Sequence, residues 1–444
     1  MNYKELTESL VARCLRQGAD SAEVYLQTGR NLSIRVRNAD IETIQEAATA
    51  GIGIRVIVDG KTGFSHSNDM NRKSLDDSIS RAIAFAKLTT PDEGNILPSD
   101  TGFTDVQGLY DPEIAQVSMD KKIEMALKVE ELAMKDPQIT HSSGSSFGER
   151  EGEVFIANSN GLSKNYKSSF CSVGLGVVAE KGDQRRTGWE SSARRFFADL
   201  ESLEEIASSA ARKAWELLDP QMIRTQRAPV IFDSTVASSL LGGVITAVNG
   251  ERVLQGTSFL QNSMDQQFAS SLLTITDDGT RPKGLGSSPF DGEGVPTAKR
   301  VLIENGVLRG FLYNTQVAAR AGVKSTGNAS RGGYTSLPGI GTHNIYLEPG
   351  NYSQKEIIAA TSRGLLLKGV TGYGINPVTG NFSGGATGMW IENGKIAYPV
   401  EGLAIAGSAE QILMGIDMMG NDVDPNRSFA SPSFRIAEMQ IGGA

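Results

Sequence analysis

The sequence predicts an α+β chain of two domains. An N-terminal antiparallel sheet layered with helices is expected over residues 1–228, and a predominantly β, barrel-like C-terminal domain over 229–444. Three observations carry that expectation. In the first half, apolar residues recur now at helical spacing and now at every second position, so helices and strands interleave. In the second half, short alternating runs dominate, separated by turn residues. Glycine supplies 50 of the 444 residues against 15 prolines, and much of it follows position 240, which points to many tight turns there.

Leu6, Leu10, Val11 and Cys14 share one helical face, and Gly18 is a suitable stop. From Ala22 to about His66, alternations such as Leu32, Ile34 and Val36 against Ser33, Arg35 and Arg37, punctuated by Gly29, Gly51, Gly60 and Gly63, predict an antiparallel meander of four or five strands. A helix over Arg72–Lys87 follows. The segment Pro91–Glu113 contains no lysine or arginine and many turn formers, and is expected to be a long surface connection. A helix near Met119–Met134, strands through Val154–Ile156 and Tyr166–Ala179, and a helix near Leu203–Leu218 complete the first domain. In the second, Val230–Phe232 is a strand, Asp233 or Ser234 an N-cap, and Val236, Leu240, Leu241, Val244, Ile245 and Val248 the stripe of a buried helix at about 235–248. Asn305-Gly306 and Asn393-Gly394 each lie between apolar alternations and predict hairpins, although no fixed sequence period is present.

Charge and composition exclude several function classes. There are 43 Lys+Arg against 51 Asp+Glu, a formal charge of −8, and no dense cationic stripe for a nucleic-acid backbone. No stretch approaches the roughly 20 apolar residues of a membrane span. Glu5, Glu8 and Arg13 interrupt the first apolar period, so the N-terminus does not read as a signal peptide. The two cysteines, Cys14 and Cys171, form neither a disulfide framework nor a CxxC site, which fits a reducing compartment and a cytoplasmic location.

Reactive groups are sparse. The histidines, His66, His141 and His343, are too far apart in sequence for a helical zinc pair. Asp277, Asp278, Asp291 and Glu293 could form an acid/base couple, but the runs TITDDGT and PFDGEGVPT have the composition of turns. Asn249 and Glu251 follow the buried helix and suit capping or an interface. No phosphate-cradling glycine motif or GxSxG elbow is present, and the Ser-rich stretch HSSGSSFG gives no specific signal. Abundant strands and few reactive groups suit an extended peptide bound through main-chain hydrogen bonds.

Several unusual runs occur together and in order: GADSAEVYLQTGRNLSIRVRNADIETIQEA, SFLQN, SSPFDGEGVPTAKRVLIENGVLRGFLYN, STGNASRGG, HNIYLEPGN and GMWIENGKIAYPVEGLAIAG followed by MMGNDV. On these the chain resembles the TldD/PmbA family over essentially its whole length. In that family the TldD-type subunit carries an HExxxH helix and a late cysteine that bind zinc, and acts on extended or unfolded peptides. The PmbA-type subunit, also called TldE, lacks those ligands and pairs with it. The resemblance places Leu241, Gly242 and Thr246 at the three helix positions, and the stretch from Asn421 to Ala444 contains no cysteine. It therefore implies a PmbA/TldE-type subunit that binds no cofactor itself, joined to a TldD-like partner that holds zinc. The associated processes are maturation of a peptide antibiotic and degradation of an antitoxin, and an older family name is modulator of DNA gyrase. Asn249, Glu251, Asp291, Glu293 and His343 are candidates for a peptide cleft or interface. Two alternatives accompany this expectation: a metal-independent hydrolase using Asp277, Asp278, Asp291 or Glu293, and a homodimeric peptide-binding protein without catalysis.

Overall fold

A computed structural model of the chain describes residues 2–100, 102–372 and 374–443. Its first helix, α1 (Tyr3–Arg16), is capped by Asn2, whose side-chain oxygen accepts the Glu5 N–H. Three strands, β1 (Ser21–Arg37), β2 (Asp40–Val58) and β3 (Lys61–Ser67), lead to α2 (Arg72–Ala86). The same order then returns as α3 (Met119–Ala133), β4 (Ile139–Asn158), β5 (Ser163–Lys181), β6 (Gln184–Arg194) and α4 (Leu203–Trp215). All six strands join one antiparallel sheet in the order β3-β2-β1-β4-β5-β6. Helices α1 and α2 cover one end of it, burying Val24, Ile54 and Val56, while α3 and α4 cover the other, burying Ile34, Phe147 and Leu175.

The two α-β-β-β-α halves are related by a pseudo-twofold axis. At its centre, Gly29 of β1 lies opposite Gly152 of β4. A Cβ added to Gly29 would stand 3.3 Å from the Glu151 carbonyl oxygen, and one on Gly152 would stand 3.0 Å from that of Thr28. The helix contacts repeat as well. A Cβ on Gly63 of β3 would fall 1.9 Å from Ala82 O and 2.5 Å from Ala86 N of α2, and one on Gly188 of β6 would fall 2.0 Å from Ala210 O and 2.5 Å from Ala214 N of α4. Glycine on the strand and alanine on the helix let the two backbones approach more closely than any larger pair.

Two sequence expectations are corrected here. Residues 21–67 form three strands, not four or five, because Gly29 and Gly51 lie inside long strands. The reversals occur at Asn38-Ala39 (φ 52° and 61°) and Asp59-Gly60 (φ 49° and 70°), where both turn residues take the left-handed conformation of a tight hairpin. The connection at 91–113 does not simply lie on the surface. Leu97 and Asp111 are buried, Leu109 O accepts the Ser169 N–H at 3.0 Å, and Asp111 N–H donates to Ser169 Oγ at 2.8 Å. The connection thus meets β5 at Ser169, beyond the Cys171–Lys181 stretch that β6 pairs with. Strand β3 likewise pairs only with Ile52–Val58 of β2, and the preceding half of β2 is exposed.

The C-terminal domain begins with β7 (Gln226–Phe232), α5 (Ser234–Ala247) and α6 (Gly250–Leu254). Asp233 caps α5 through the Thr235 N–H and meets Lys368 Nζ at 3.0 Å. Burial opposes its charge, but Lys368 and Thr235 outweigh burial and hold its pKa down at about 2. Short elements follow: β8 (Ile275–Asp278), β9 (Lys299–Glu304), β10 (Val307–Leu308), α7 (Thr315–Ala321), β11 (Ala329–Ser330), β12 (Gly339–Ile340), β13 (Ile345–Leu347) and α8 (Gln354–Ala359). The last are β14 (Arg363–Thr371), β15 (Asn381–Glu392), β16 (Lys395–Ser408), α9 (Ala409–Met414), β17 (Ile416–Met419), β18 (Phe429–Ala430) and β19 (Phe434–Gly442). Strands β7, β14, β15, β16 and β19 close a five-stranded barrel, since β16 pairs with β19 as well as β15, and β17 adds beside β19. A smaller sheet, β10-β9-β8-β13-β18, packs into the same core as α5. Both Asn-Gly pairs make the expected hairpins. Among the described residues no helix is long and apolar enough to cross a membrane.

Because a methyl at either repeated glycine meets backbone, Gly63→Ala and Gly188→Ala should each lower stability by about 1–3 kcal/mol. Urea titration of each variant against the parent chain checks this, and similar losses at both sites are expected.

Candidate functional site: the domain junction

Helix α5 carries the three positions that the resemblance marks. Leu241 is fully buried in the barrel core, whereas Gly242 and Thr246 lie on the half-exposed side. A Cβ on Gly242 would meet nothing within 4 Å, and Thr246 Oγ1 donates to Gly242 O at 2.8 Å. Helical positions five apart are turned by about 140° from each other, so side chains at 241 and 246 diverge. Asn249 caps α6 by accepting the Glu251 N–H at 2.9 Å, and Glu251 is half-buried in the first turn of that helix.

The other candidates lie where the two domains meet. The sheet face opposite the helices packs Tyr25, Val154 and Ile156 on Phe290, and Tyr166 meets the Phe290 ring edge-on at 5.1 Å. Tyr334 sits on Gly51, where a Cβ would fall 2.1 Å from its ring. Beside this apolar contact lies a buried ionic one. Arg55 of β2 donates to Glu23 Oε2 of β1 at 2.8 Å and to Glu293 Oε1 at 3.0 Å, and Arg331 pairs with the other Glu23 oxygen. Burial works against the Arg55 charge, but Glu23 and Glu293 more than offset it and raise its pKa. Glu293 Oε2 also accepts the Thr315 N–H at 2.8 Å.

Asp291 organises the loop that carries Glu293. Its Oδ1 accepts the N–H groups of Glu293 and Val295 at 2.9 and 3.0 Å, and its Oδ2 accepts that of Ala329 at 2.9 Å. Burial, aided by the Glu293 charge, pushes the Asp291 carboxyl up to about 7 against those three donors. His343 Nδ1 stands 3.2 Å from Asp277 Oδ2, which also accepts Asn328 Nδ2 at 2.7 Å, and the His343 N–H donates to Asp277 Oδ1 at 2.8 Å. Asp278 caps Thr280. The four carboxylates weighed as an acid/base couple are thus engaged in holding loops.

Asp291 and His343 line a cleft of 160 Å³ together with Tyr25, Tyr166, Asn328 and Arg331. It adjoins a second lobe of 430 Å³, lined by Arg150, Ser168 and Arg195, and shares with it a wall of Tyr25, Tyr166, Ser288 and Arg331. Glu293, Asn249 and Glu251 lie outside its lining. Sequence reasoning missed Glu23, Arg55, Arg331 and Asn328. One signal was available: Arg55 is the lone charge in the apolar run Gly51–Val58, and a buried strand charge demands a partner.

The PmbA/TldA metallopeptidase domains match the chain in three segments: domain 1 over residues 22–86, the central domain over 112–218 and the C-terminal domain over 225–443. Metalloprotease PmbA of Escherichia coli O157:H7 is 30% identical over 450 residues, covering 99% of this chain and 97% of that protein. The chain belongs to the PmbA/TldD metallopeptidase family. A metalloprotease TldD homolog of Buchnera aphidicola is 26% identical and covers 100% of this chain and 96% of its own length. Among solved structures, TldE from Thermococcus kodakarensis superposes with a TM-score of 0.90 at 27% identity, covering 98% of this chain and 99% of that one. A Thermotoga maritima chain described as a candidate modulator of a DNA gyrase gives 0.90 at 28% identity, over 99% and 100%. The first two PmbA/TldD family segments fall one in each half of the pseudo-twofold sheet.

A metallopeptidase family implies a metal, and zinc takes nitrogen, sulfur or carboxylate ligands. Position 241 offers only methyl groups, 242 no side chain, and 246 a hydroxyl already donated to the helix backbone. Among the described residues no three His, Cys, Asp or Glu side chains stand together as a ligand set. The residues of α5 in this PmbA/TldD chain therefore do not fit zinc.

The raised Asp291 pKa has a defined consequence for stability. The folded chain holds this proton more tightly than the unfolded one. The contribution is fully present below the unfolded value near 3.8 and is lost as pH rises through about 7. The stability of the parent chain relative to Asp291→Asn should therefore fall between pH 4 and pH 8, as read by urea titration at each pH.

Proposed function

We propose that this chain is a non-catalytic subunit of the PmbA/TldE type. It joins a TldD-like zinc metallopeptidase as a heterodimer, and the complex acts on extended or unfolded peptides. The observation that carries the reading is the chemistry of α5: within an otherwise intact family chain, Leu241, Gly242 and Thr246 offer no metal ligand. Hydrolysis then draws its Lewis acid from the partner, and this chain supplies walls and strands for the peptide. The two buried cysteines agree with work in a reducing cytoplasm, since burial pushes both thiols up to about 12 and leaves them inert. A chain of this kind without its partner forms a homodimer or remains single.

Mixing this chain with its TldD-like partner should give a 1:1 complex in size-exclusion chromatography, with peptidase activity greater than either chain shows alone. Absence of association at micromolar concentration would remove the proposal. Placing ligand types on α5, as Leu241→His, Gly242→Glu and Thr246→His together, should not create a stoichiometric zinc site by elemental analysis, because the stretch from Asn421 to Ala444 supplies no cysteine and no supporting shell exists.

A further inference from the structure

We propose that the larger lobe of the junction cleft is a carboxylate-binding subsite, in which Arg150 and Arg195 receive an acidic side chain or the C-terminal carboxylate of an extended peptide. This rests on the extended-peptide reading above and adds the chemistry the peptide must carry.

The first observation is an uncompensated buried cation. Arg195, just beyond β6, is 7% exposed. It donates to the carbonyl oxygens of Ser169 (3.4 Å), Gly284 (3.1 Å), Leu285 (2.8 Å) and Ser287 (3.0 Å). A guanidinium has five N–H donors, so these four bonds leave one Nη1–H unused. Among the described residues no carboxylate lies within 4.0 Å of it, whereas the buried neighbours Arg55 and Arg331 are each paired with one. Burial accordingly lowers the Arg195 pKa. A buried charge without a counter-charge is destabilising, and an anion in the lobe would relieve it.

The second observation is the sign of the rest of the lining. Arg150 projects from β4 on the face that meets the C-terminal domain, is exposed, and makes no ion pair among the described residues. The carboxylate in the lobe, Glu153, is already engaged by Asn165 at 3.2 Å and Lys167 at 4.0 Å, and Arg331 is held by Glu23. Tyr166 stays protonated because burial raises its pKa, so its hydroxyl can donate. In the adjoining lobe, Asn328 Oδ1 is a buried acceptor without a donor. Excess positive charge, free donors and an unfilled acceptor beside one another suit a peptide carboxylate and its neighbouring amide.

The test uses the full chain and short rhodamine-labelled Gly/Ser peptides, titrated by fluorescence anisotropy at about 50 mM salt, where screening is moderate. One peptide has a central Glu and an amidated C-terminus, one has Gln there and an amide, and one has Gln with a free C-terminal carboxylate. At least one carboxylate peptide should bind roughly tenfold or more tightly than the neutral one, which corresponds to about 1.4 kcal/mol. The one that does identifies the source of the carboxylate. Arg150→Gln should abolish the preference with an unchanged melting temperature, and Arg150→Lys should retain part of it. Equal binding of all three peptides, no binding of any, or an intact preference in Arg150→Gln would overturn the inference. Association with the TldD-like partner is followed in parallel. If the parent chain associates yet shows no carboxylate preference, the subsite falls and the subunit reading stands.

Discussion

The buried chain of charges Arg331–Glu23–Arg55–Glu293 is the constraint from which the rest of the molecule follows. It ties β1 and β2 of the sheet to the 290s loop and the 330s loop of the barrel domain, in surroundings where none of the four side chains is more than 8% exposed. Removing one member of such a network strands the others as uncompensated charge, typically at about 3–5 kcal/mol. Geometry is tightly specified as a result. Arg55 must present its Nη2 to two carboxylates at once, and Glu23 must turn one oxygen to each arginine. The apolar contacts alongside, Tyr334 on Gly51 and Tyr166 on Phe290, are non-directional and would tolerate sliding; the ion chain does not. The cleft between the domains owes its shape to that fixed angle, since one wall is the sheet and the other is the loop that Asp291 folds.

The sheet achieves its length by joining two similar halves rather than by adding strands to one. Glycines appear where that plan requires contact: at the axis, where Gly29 faces Gly152, and under each second helix, where Gly63 and Gly188 admit alanine backbones. Two helix pairs then share a single six-stranded platform, which leaves the opposite face free along its whole extent to receive the barrel domain. The pseudo-symmetry and the docking surface are thus parts of one arrangement.

Much of this was legible in the residues. Amphipathic spacing located α1, α2 and α5, and the Asn-Gly pairs located two hairpins, because each rests on local rules of side-chain period and turn conformation. Strand number between residues 21 and 67 was misread because Gly29 and Gly51 resemble turn punctuation; their real roles, a symmetry contact and a seat for Tyr334, arise only in three dimensions. Strand β6 escaped notice because Gln184–Arg194 is too polar to show an apolar alternation. The repeat was hidden for a related reason, since what the halves share is a pair of close approaches and not a string of identities. At the site, Asp291 and His343 were found in motif-rich runs, but Glu23 and Arg55 lie far from them in sequence and become partners only when the domains close.

The treatment of strand edges differs between the two halves. Beyond β6, β5 is bonded at Ser169 by Leu109, while the matching half of β2 is exposed. An unpaired strand flank is a place where another chain can add, and a flank already bonded is not. The segment Pro91–Glu113, which looks like mere slack between helices, thus engages β5 at Ser169 and gives the two halves of the sheet unequal flanks.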